Sequence, residues 1–190
     1  RGGFSHFVPI LREINFTKKI DYKIIVADMH LSSFFGKTVN EIKNYSKKLI
    51  LLDKIKTKDT ISNRLSVISK TITSLSKVFD KKKPDFLFLL GDRVEVLGAA
   101  ISGMHYNIPI IHLYGGDITQ GGTDESTRHA ISKISNIHLT SNFHSYKNVK
   151  KMGEESWRVH NVGLSSLDLF KNDYFKSKIY LEKKFKIDLS

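Results

Sequence analysis

Acidic and basic side chains stand directly after two apolar segments of the sequence. Asp92 and Arg93 follow the apolar residues 86–90, and Asp117 comes shortly after the apolar residues 109–113. An acid beside an arginine is a poor core residue, so this pair either caps a following helix or faces a ligand. Both alternatives stay open for Asp92 on the sequence alone.

The residues between the second apolar segment and Asp117 suit close approach by a ligand. His112 and Tyr114 fall on the same side of an extended segment, because successive side chains of a strand point to opposite faces. Gly115 and Gly116 follow, and residues without a Cβ let the backbone come close to a ligand. His112 is either a structural histidine at a strand end or a member of the site.

A third polar group is the segment Asp124-Glu125-Ser126-Thr127-Arg128-His129. Asp124 and Arg128 are four residues apart and share one face of a predicted helix, where they could form a simple ion pair. Asp92, Asp117 and Asp124 together are more acids than helix capping requires. Carboxylates beside an arginine and a histidine suit proton transfer on an anionic substrate. The histidines lack tight metal-ligand spacing, so we expect no metal.

The elements that would position these residues alternate between strands and helices. Apolar runs predict buried strands, and apolar residues at three- and four-residue spacing predict amphipathic helices. The predicted strands are 22–27, 49–52, 86–90, 109–113, 137–140 and 158–162, and the predicted helices are 4–16, 61–79, 94–106, 124–135 and 143–152. This order predicts an α/β fold with a doubly wound, Rossmann-like parallel sheet. Ligands of such sheets bind beyond the carboxyl ends of the strands, where all three polar groups fall.

The composition excludes several classes of protein. Hydrophobic residues make up 40% of the 190 residues, which is enough for a core, and the absence of cysteine excludes disulfides and thiolate chemistry. No apolar run approaches a membrane span, so we expect a cytoplasmic protein without a membrane partner. The formal net charge of +12 lies mostly in the first 83 residues. It could attract a nucleic acid, an anionic membrane surface or a phosphorylated small molecule.

The motifs carry a resemblance to a known family. The stretches GDRVEVLGAA and IPIIHLYGGDITQGGTDESTRHAISKIS closely resemble the hydrolysing UDP-N-acetylglucosamine 2-epimerases of sialic-acid-type sugar synthesis. The resemblance is strong over residues 84–170 and weaker over 20–83, where only the order of elements agrees. It implies the N-terminal half of a two-domain GT-B architecture. Residues 1–165 would form the Rossmann-like domain, and residues 166–190 would begin the connection to a second domain.

The resemblance also implies roles for individual residues. The catalytic residues it implies are Asp92, Asp117, Asp124 and Glu125, and the substrate-binding residues are Arg1, Arg93, His112, Arg128 and His129. Asp117 stands where the family usually has a glutamate, so its side chain is one methylene shorter. The family implies no cofactor, a nucleotide sugar as the small-molecule partner, and a homo-oligomer, either dimer or tetramer. Most UDP-binding residues and a catalytic histidine would lie in the second domain.

The implied reaction has two steps. UDP leaves C1 of UDP-GlcNAc, or of a diacetamido analogue, as the C2 proton is lost, and water then adds to give an N-acetylmannosamine-type sugar. The alternatives are a non-hydrolysing epimerase and a GT-B glycosyltransferase or other nucleotide-sugar-binding protein. A basic nucleic-acid-binding domain is a further alternative. The sequence has no helix-turn-helix, zinc or RNP-type pattern, so we expect no nucleic-acid partner.

We predict that residues 1–190 expressed alone are aggregation-prone and inactive. Arg1 already lies in the turn that should follow the first, central strand of a doubly wound sheet. A missing central strand leaves buried backbone groups unpaired at about 1–3 kcal/mol each, against a net stability of only about 5–15 kcal/mol. Size-exclusion chromatography and an assay for UDP release check this. A monodisperse, cooperatively unfolding protein that turns over UDP-GlcNAc would contradict it.

Overall fold

The structure is a computed structural model of the chain and describes residues 3–53, 60–120, 122–171 and 176–188. The helices in these ranges are α1 (Phe4–Thr17), α2 (Val39–Lys43), α3 (Ile61–Lys81), α4 (Val94–His105), α5 (Asp124–Ile134), α6 (Phe143–Lys151) and α7 (Lys178–Phe185). The strands are β1 (Ile24–Val26), β2 (Leu49–Leu51), β3 (Leu87–Leu90), β4 (Ile110–Leu113), β5 (Ile137–Thr140) and β6 (Val159–Asn161). Short 3-10 helices cover Asp28–Leu31, Ser156–Arg158 and Ser165–Lys171.

All strand pairs in the described residues are parallel. Strands β3, β4, β5 and β6 are neighbours in chain order, and β1 pairs with β2. Each strand of the larger sheet is joined to the next by a helix, as short buried parallel strands require. The predicted α/β parallel fold is confirmed. The carboxyl ends of β3–β6 lie along one side of this sheet, which we call the carboxyl edge, and the opposite side is the amino edge.

The two sheets share one hydrophobic core. Ile25 and Ile50 of the smaller sheet pack against the cluster that contains Leu75 of α3 and Leu87 of β3. Within the described residues no ladder hydrogen bonds join the two sheets. The predicted domain boundary at residue 165 stays a prediction.

Helices α3 and α4 pack closely because α4 offers glycine at the contact. A Cβ on Gly98 would lie 3.0 Å from the backbone oxygen of Ile68 and 3.1 Å from the Cβ of Thr71. The approach fixes α4 and therefore the turn that precedes it. No helix in the described ranges is long and apolar enough to cross a membrane.

Several short elements are absent from the elements predicted from the sequence, namely α2, α7 and the three 3-10 helices. The 3-10 turn Asp28–Leu31 and the helix α2 lie in a region of mixed composition. Helix α2 spans only five residues, which is too short for a helical repeat to show. It is held by burial of Val39 and Ile42, which pack with Val26.

A buried carboxylate anchors the amino edge. The Glu154 side chain, 2% exposed, accepts from Lys133 Nζ at 2.5 Å, from Arg158 at 2.8 Å and from His138 Nε2 at 3.2 Å. Burial raises the pKa of Glu154, but the Lys133 hydrogen bond and the surrounding positive charges outweigh it and hold the pKa below its usual value. Burial lowers the pKa of His138, so its ring is a neutral donor at pH 7. Glu154 thus ties α5, β5 and the chain entering β6 together.

We predict that Glu154→Gln lowers the free energy of unfolding at pH 7 by about 1–3 kcal/mol, because Lys133, Arg158 and the buried His138 ring lose their charged acceptor. Glu155→Gln is the matched control, since its carboxylate is 64% exposed. The pKa of Glu154 is depressed, so its contribution is present above pH 4.5 and is lost as the pH falls through its folded value. Urea unfolding at pH 7 and pH 4 measures both effects. Equal losses in the two variants would contradict the anchor.

Candidate active site

The guanidinium of Arg128 lies at the centre of the candidate site. Its side chain is 9% exposed and donates to the carboxylate of Asp92. It also donates to the Asp117 backbone oxygen at 2.5 Å and to Thr119 Oγ1 at 2.9 Å. One side chain of α5 therefore joins the loop after β3 to the loop after β4.

The pairing of Arg128 differs from the one that helical spacing suggested. Asp124 shares a helix face with Arg128, but within the described residues the ion pair is with Asp92 instead. The reason is burial: Asp124 is exposed at the start of α5, whereas the Asp92 side chain is 25% exposed and lies beside the guanidinium. The Asp92 side chain makes this contact with Arg128 and does not cap α4, whose N-cap residue is Arg93.

Among the described residues, hydrogen-bond donors contact one oxygen of the Asp117 carboxylate. Its Oδ1 accepts from Ser141 Oγ at 2.9 Å and from the hydroxyl of Ser145. Ser141 follows β5, and Ser145 is a buried residue of α6. Oδ2 has no hydrogen-bond donor among the residues that the structure describes. The carboxylate is thus oriented by neutral donors and keeps one oxygen available.

The glycines before Asp117 are required by close packing. Gly116 has φ +85°, and a Cβ there would lie 2.3 Å from the backbone oxygen of Ser145. A Cβ on Gly115 would lie 2.5 Å from Ser132 Oγ. Asn148 Nδ2 donates to the Gly116 oxygen at 2.9 Å. The close approach that the sequence suggested for a ligand is therefore made by α5 and α6. Their contacts fix the loop that carries Asp117.

His112 lies behind the site. Its ring is fully buried, Nε2 donates to the Gly91 oxygen at 2.8 Å, and Nδ1 accepts from Ser132 Oγ at 3.1 Å. Burial lowers the pKa of His112 to about 4, so the ring is neutral at pH 7. The resemblance implied a substrate contact, but both ring nitrogens are occupied within the protein. In this structure His112 supports the turn that carries Asp92.

The remaining predicted residues have different surroundings. Glu125 Oε2 accepts from the backbone N–H of Thr119 at 2.9 Å and so closes the loop onto α5. His129 is half-buried, and its Nδ1 has no partner in the described part of the chain. Arg93 is exposed and contacts Glu95. Arg1 lies outside the described residues.

Several hydroxyl and amide groups of the site were not predicted from the sequence. They contact Asp117, Arg128, His112 or the glycine loop, and they are Thr119, Ser132, Ser141, Ser145 and Asn148. Serine and threonine are common along the chain, so their types alone gave no signal. Ser141 directly follows β5, just as Asp92 and Asp117 follow β3 and β4, and this position is the sequence signal that could have indicated it.

The arrangement places three carboxylates in three different environments. Asp92 is neutralised by a buried guanidinium, Asp117 is bound by neutral hydroxyls, and Asp124 is exposed to water. An arginine-paired, a hydroxyl-bound and a water-exposed carboxylate therefore follow neighbouring strands of the sheet. No cluster of three or more metal-ligating side chains is found among the described residues.

Comparison with protein families and curated proteins gives one consistent result. A family model described as UDP-N-acetylglucosamine 2-epimerase matches residues 12–188. The chain is 36% identical over 169 residues to a UDP-N,N'-diacetylbacillosamine 2-epimerase (hydrolyzing) of Legionella pneumophila, covering 88% of this chain and 45% of the relative. It is 37% identical over 183 residues to a GDP/UDP-N,N'-diacetylbacillosamine 2-epimerase (hydrolyzing) of Campylobacter jejuni, covering 95% and 47%.

Solved structures share the fold. The UDP-GlcNAc 2-epimerase of Methanocaldococcus jannaschii, in complex with UDP-GlcNAc and UDP, superposes with a TM-score of 0.81 at 23% identity, over 99% of this chain and 52% of that one. The Neisseria meningitidis enzyme bound to UDP-GlcNAc gives 0.79 at 20% identity, over 98% and 52%. The chain therefore has the α/β architecture of one half of these GT-B proteins, and it spans about half the length of the curated relatives it matches.

We predict that Gly116→Ala destabilises the protein more than Gly153→Ala by about 1–3 kcal/mol. Both glycines have nearly the same φ, +85° and +89°, so both substitutions carry the left-handed backbone cost of about 1–2 kcal/mol. Only the Gly116 Cβ meets a neighbour, whereas nothing lies within 4 Å of the Gly153 position. The difference therefore reports overpacking against α6.

Urea unfolding of the two variants measures this difference. Equal losses of unfolding free energy would show that the loop can move away from Ser145 without cost. The contact between the glycine loop and α6 would then not hold Asp117 in place.

Proposed function

The chain belongs to the UDP-N-acetylglucosamine 2-epimerase family, and from this premise we propose that it supplies the acid–base side of a hydrolysing nucleotide-sugar 2-epimerase. Both relatives at 36–37% identity carry "hydrolyzing" in their names, and both names specify an N,N'-diacetylbacillosamine substrate. The proposed substrate class is therefore a UDP-linked 2-acetamido sugar, either UDP-GlcNAc or its diacetamido analogue. The product serves sialic-acid-type sugar synthesis.

The proposed reaction is an elimination followed by an addition. The C1–O bond to UDP breaks, UDP leaves with the bonding electrons, and a base removes the C2 proton to give a 2-acetamidoglycal. Water then adds its oxygen to C1, and a proton is delivered to C2 on the opposite face. The products are the free sugar with inverted C2 and UDP. The C2 proton becomes acidic only as positive charge grows at C1, so a fixed carboxylate beside C2 is the group this chemistry needs.

The observation that carries the proposal is the environment of Asp117. Ser141 and Ser145 hold one carboxylate oxygen and leave the other without a donor in the described residues. Neutral donors orient the carboxylate without cancelling its charge, so it can still accept a proton. Asp124, exposed at the start of α5, is the proposed second acid. Asp92 is paired with Arg128 and has the proposed role of fixing that guanidinium beside the reacting groups.

Because the chain spans about half of its relatives' length, we propose that activity requires a second domain that holds UDP. The carboxyl edge would face the cleft between the two domains, as ligands of such sheets bind there. We further propose that residues 1–165 form the first domain, that the working enzyme is a cytoplasmic homo-oligomer, and that it uses no cofactor or metal. We call this chain joined to the second half of its relatives' length the two-domain form.

A non-hydrolysing epimerase is the second candidate. The chain is 31% identical over 171 residues to a Neisseria meningitidis protein named UDP-N-acetylglucosamine 2-epimerase, without the hydrolysing qualifier. The two candidates differ in their products, since one releases free sugar and UDP whereas the other returns a UDP-linked sugar. Proton NMR of the reaction mixture separates them directly.

We predict that Asp117→Asn and Asp124→Asn each lower turnover of the two-domain form by about two to four orders of magnitude. Each variant keeps the shape of the side chain and removes the titrating group. Asp85→Asn is the matched control, because Asp85 is exposed just before β3, at the amino edge. Coupled detection of UDP release from UDP-GlcNAc and from its diacetamido analogue gives the rates.

The outcome that contradicts the assignment is near-normal UDP release by both variants with the fold intact by circular dichroism. A UDP-linked epimer as the only product would overturn the hydrolysing reaction and keep the family. Asp92→Asn should lower turnover indirectly, because Arg128 loses its charged partner and is displaced. It should also lower the free energy of unfolding.

A further inference from the structure

A hydrogen-bond cluster separate from the acid–arginine group joins α1 to the carboxyl edge. It contains His6, Tyr114 and Ser165, which are far apart in the sequence. The Tyr114 hydroxyl lies 3.3 Å from His6 Nδ1 and 2.8 Å from Ser165 Oγ, and it accepts from the Ser165 backbone N–H at 2.8 Å. Ser165 Oγ lies 2.7 Å from the His6 backbone oxygen. The His6 and Tyr114 rings meet edge to face, with centroids 4.9 Å apart.

If every contact of this cluster is a hydrogen bond, counting the protons selects one tautomer of His6. The single hydroxyl proton of Ser165 goes to the His6 carbonyl, which can only accept. Tyr114 must therefore donate its own proton to Ser165 Oγ. The phenol oxygen then has no proton left for His6, so His6 Nδ1 is the donor in their contact. In the neutral ring the proton is on Nδ1, and Nε2 carries a lone pair.

The cluster lies at the same edge as the proposed acids. Tyr114 directly follows β4 and is three residues before Asp117. His6 is in the first turn of α1, and a Cβ on the preceding Gly3 would lie 3.1 Å from the side chain of Leu90, the last residue of β3. Ser165 follows β6. His6 is half-buried, and its Nε2 has no partner in the described part of the chain.

Tyr114 adopts a backbone conformation that favours glycine, with φ +67°. A non-glycine residue there costs about 1–2 kcal/mol. A glycine would avoid that cost but would also lose the ring and the hydroxyl. Tyr114 is 7% exposed, and its hydroxyl makes three of the four hydrogen-bond contacts of the cluster. The backbone cost is thus offset by contacts whose shared effect is to orient His6.

We propose that His6 is a substrate-binding residue, whose Nε2 accepts a hydrogen bond from a hydroxyl or amide N–H of the nucleotide sugar, with Tyr114 and Ser165 as positioning residues. This inference rests on the proposed function and adds a contact outside the set of acids and arginines. Burial lowers the pKa of His6, which keeps the ring neutral and the lone pair available at pH 7. A sugar presents many hydroxyl and amide donors, and a fixed acceptor selects among them.

The first test reads the tautomer directly. Nitrogen NMR of the two-domain form with ¹⁵N-labelled histidine, at pH 7.5 and without ligand, should show His6 protonated on Nδ1. In Tyr114→Phe the ring loses its acceptor, and the Nε2-protonated form should become populated. A wild-type His6 that is mainly Nε2-protonated or cationic at this pH would overturn the inference, whatever the enzyme's activity.

The second test separates binding from chemistry. His6→Phe keeps an aromatic ring and removes the acceptor, so KM for the nucleotide sugar should rise about five- to tenfold while kcat stays within about threefold. His6→Gln places an amide oxygen at a similar reach and should restore part of the affinity. His105→Phe is the matched control, because His105 is exposed at the far end of α4.

The outcomes distinguish this inference from the proposed function. Unchanged KM in His6→Phe, with activity still dependent on Asp117, would overturn the role of His6 and leave the epimerase assignment standing. Activity that depends on neither residue would overturn the assignment of the acids. Because the tautomer is measured on the resting protein, the first test decides the geometry of His6 in either case.

Discussion

The buried guanidinium of Arg128 is the constraint on which the site depends. A charge that is 9% exposed is costly unless it is paired and fully hydrogen-bonded. The partners come from two different loops, the Asp92 carboxylate after β3 and the Asp117 carbonyl and Thr119 hydroxyl after β4. If the first loop moved away, the guanidinium would lose its ion pair, and if the second moved away, it would lose two hydrogen bonds. The ion pair therefore fixes the relative position of the two loops, and the acids on them are oriented as a consequence.

The second loop is fixed from three sides at once. Arg128 donates to the Asp117 backbone carbonyl, and Ser145 of α6 donates to the Asp117 carboxylate. Tyr114, the first residue of the loop, contacts His6 of α1. The glycines make this possible because a Cβ at Gly116 would meet the backbone of α6. A loop with so many neighbours has few alternative conformations. Catalytic groups need such preorganisation, since a displacement of about 1 Å can lower a rate by about a hundredfold.

Much of the fold could be predicted from the sequence, because buried parallel strands leave a direct signal in apolar runs such as residues 86–90. Helix α2 gave no periodic signal in the sequence, because five residues complete little more than one helical turn. The acids of the candidate site were predicted from their position after strands. Their partners were not, because the choice of Asp92 over Asp124 by Arg128 depends on burial. Likewise Ser145 is 28 residues from Asp117, and His6 is 108 residues from Tyr114. No local pattern reports contacts at that separation.

The two edges of the sheet hold their acidic groups in different ways. At the amino edge, Glu154 is surrounded by Lys133, His138 and Arg158, and its charge is fully used inside the protein. At the carboxyl edge, Asp117 keeps one oxygen and His6 keeps one nitrogen without a partner in the described residues. Unused hydrogen-bonding capacity costs stability unless water or a ligand satisfies it. Its presence at the carboxyl edge and not around Glu154 is the contrast that supports the proposed binding site. Asp92 differs from Asp117 in that its charge is paired with the Arg128 guanidinium, which agrees with its proposed positioning role.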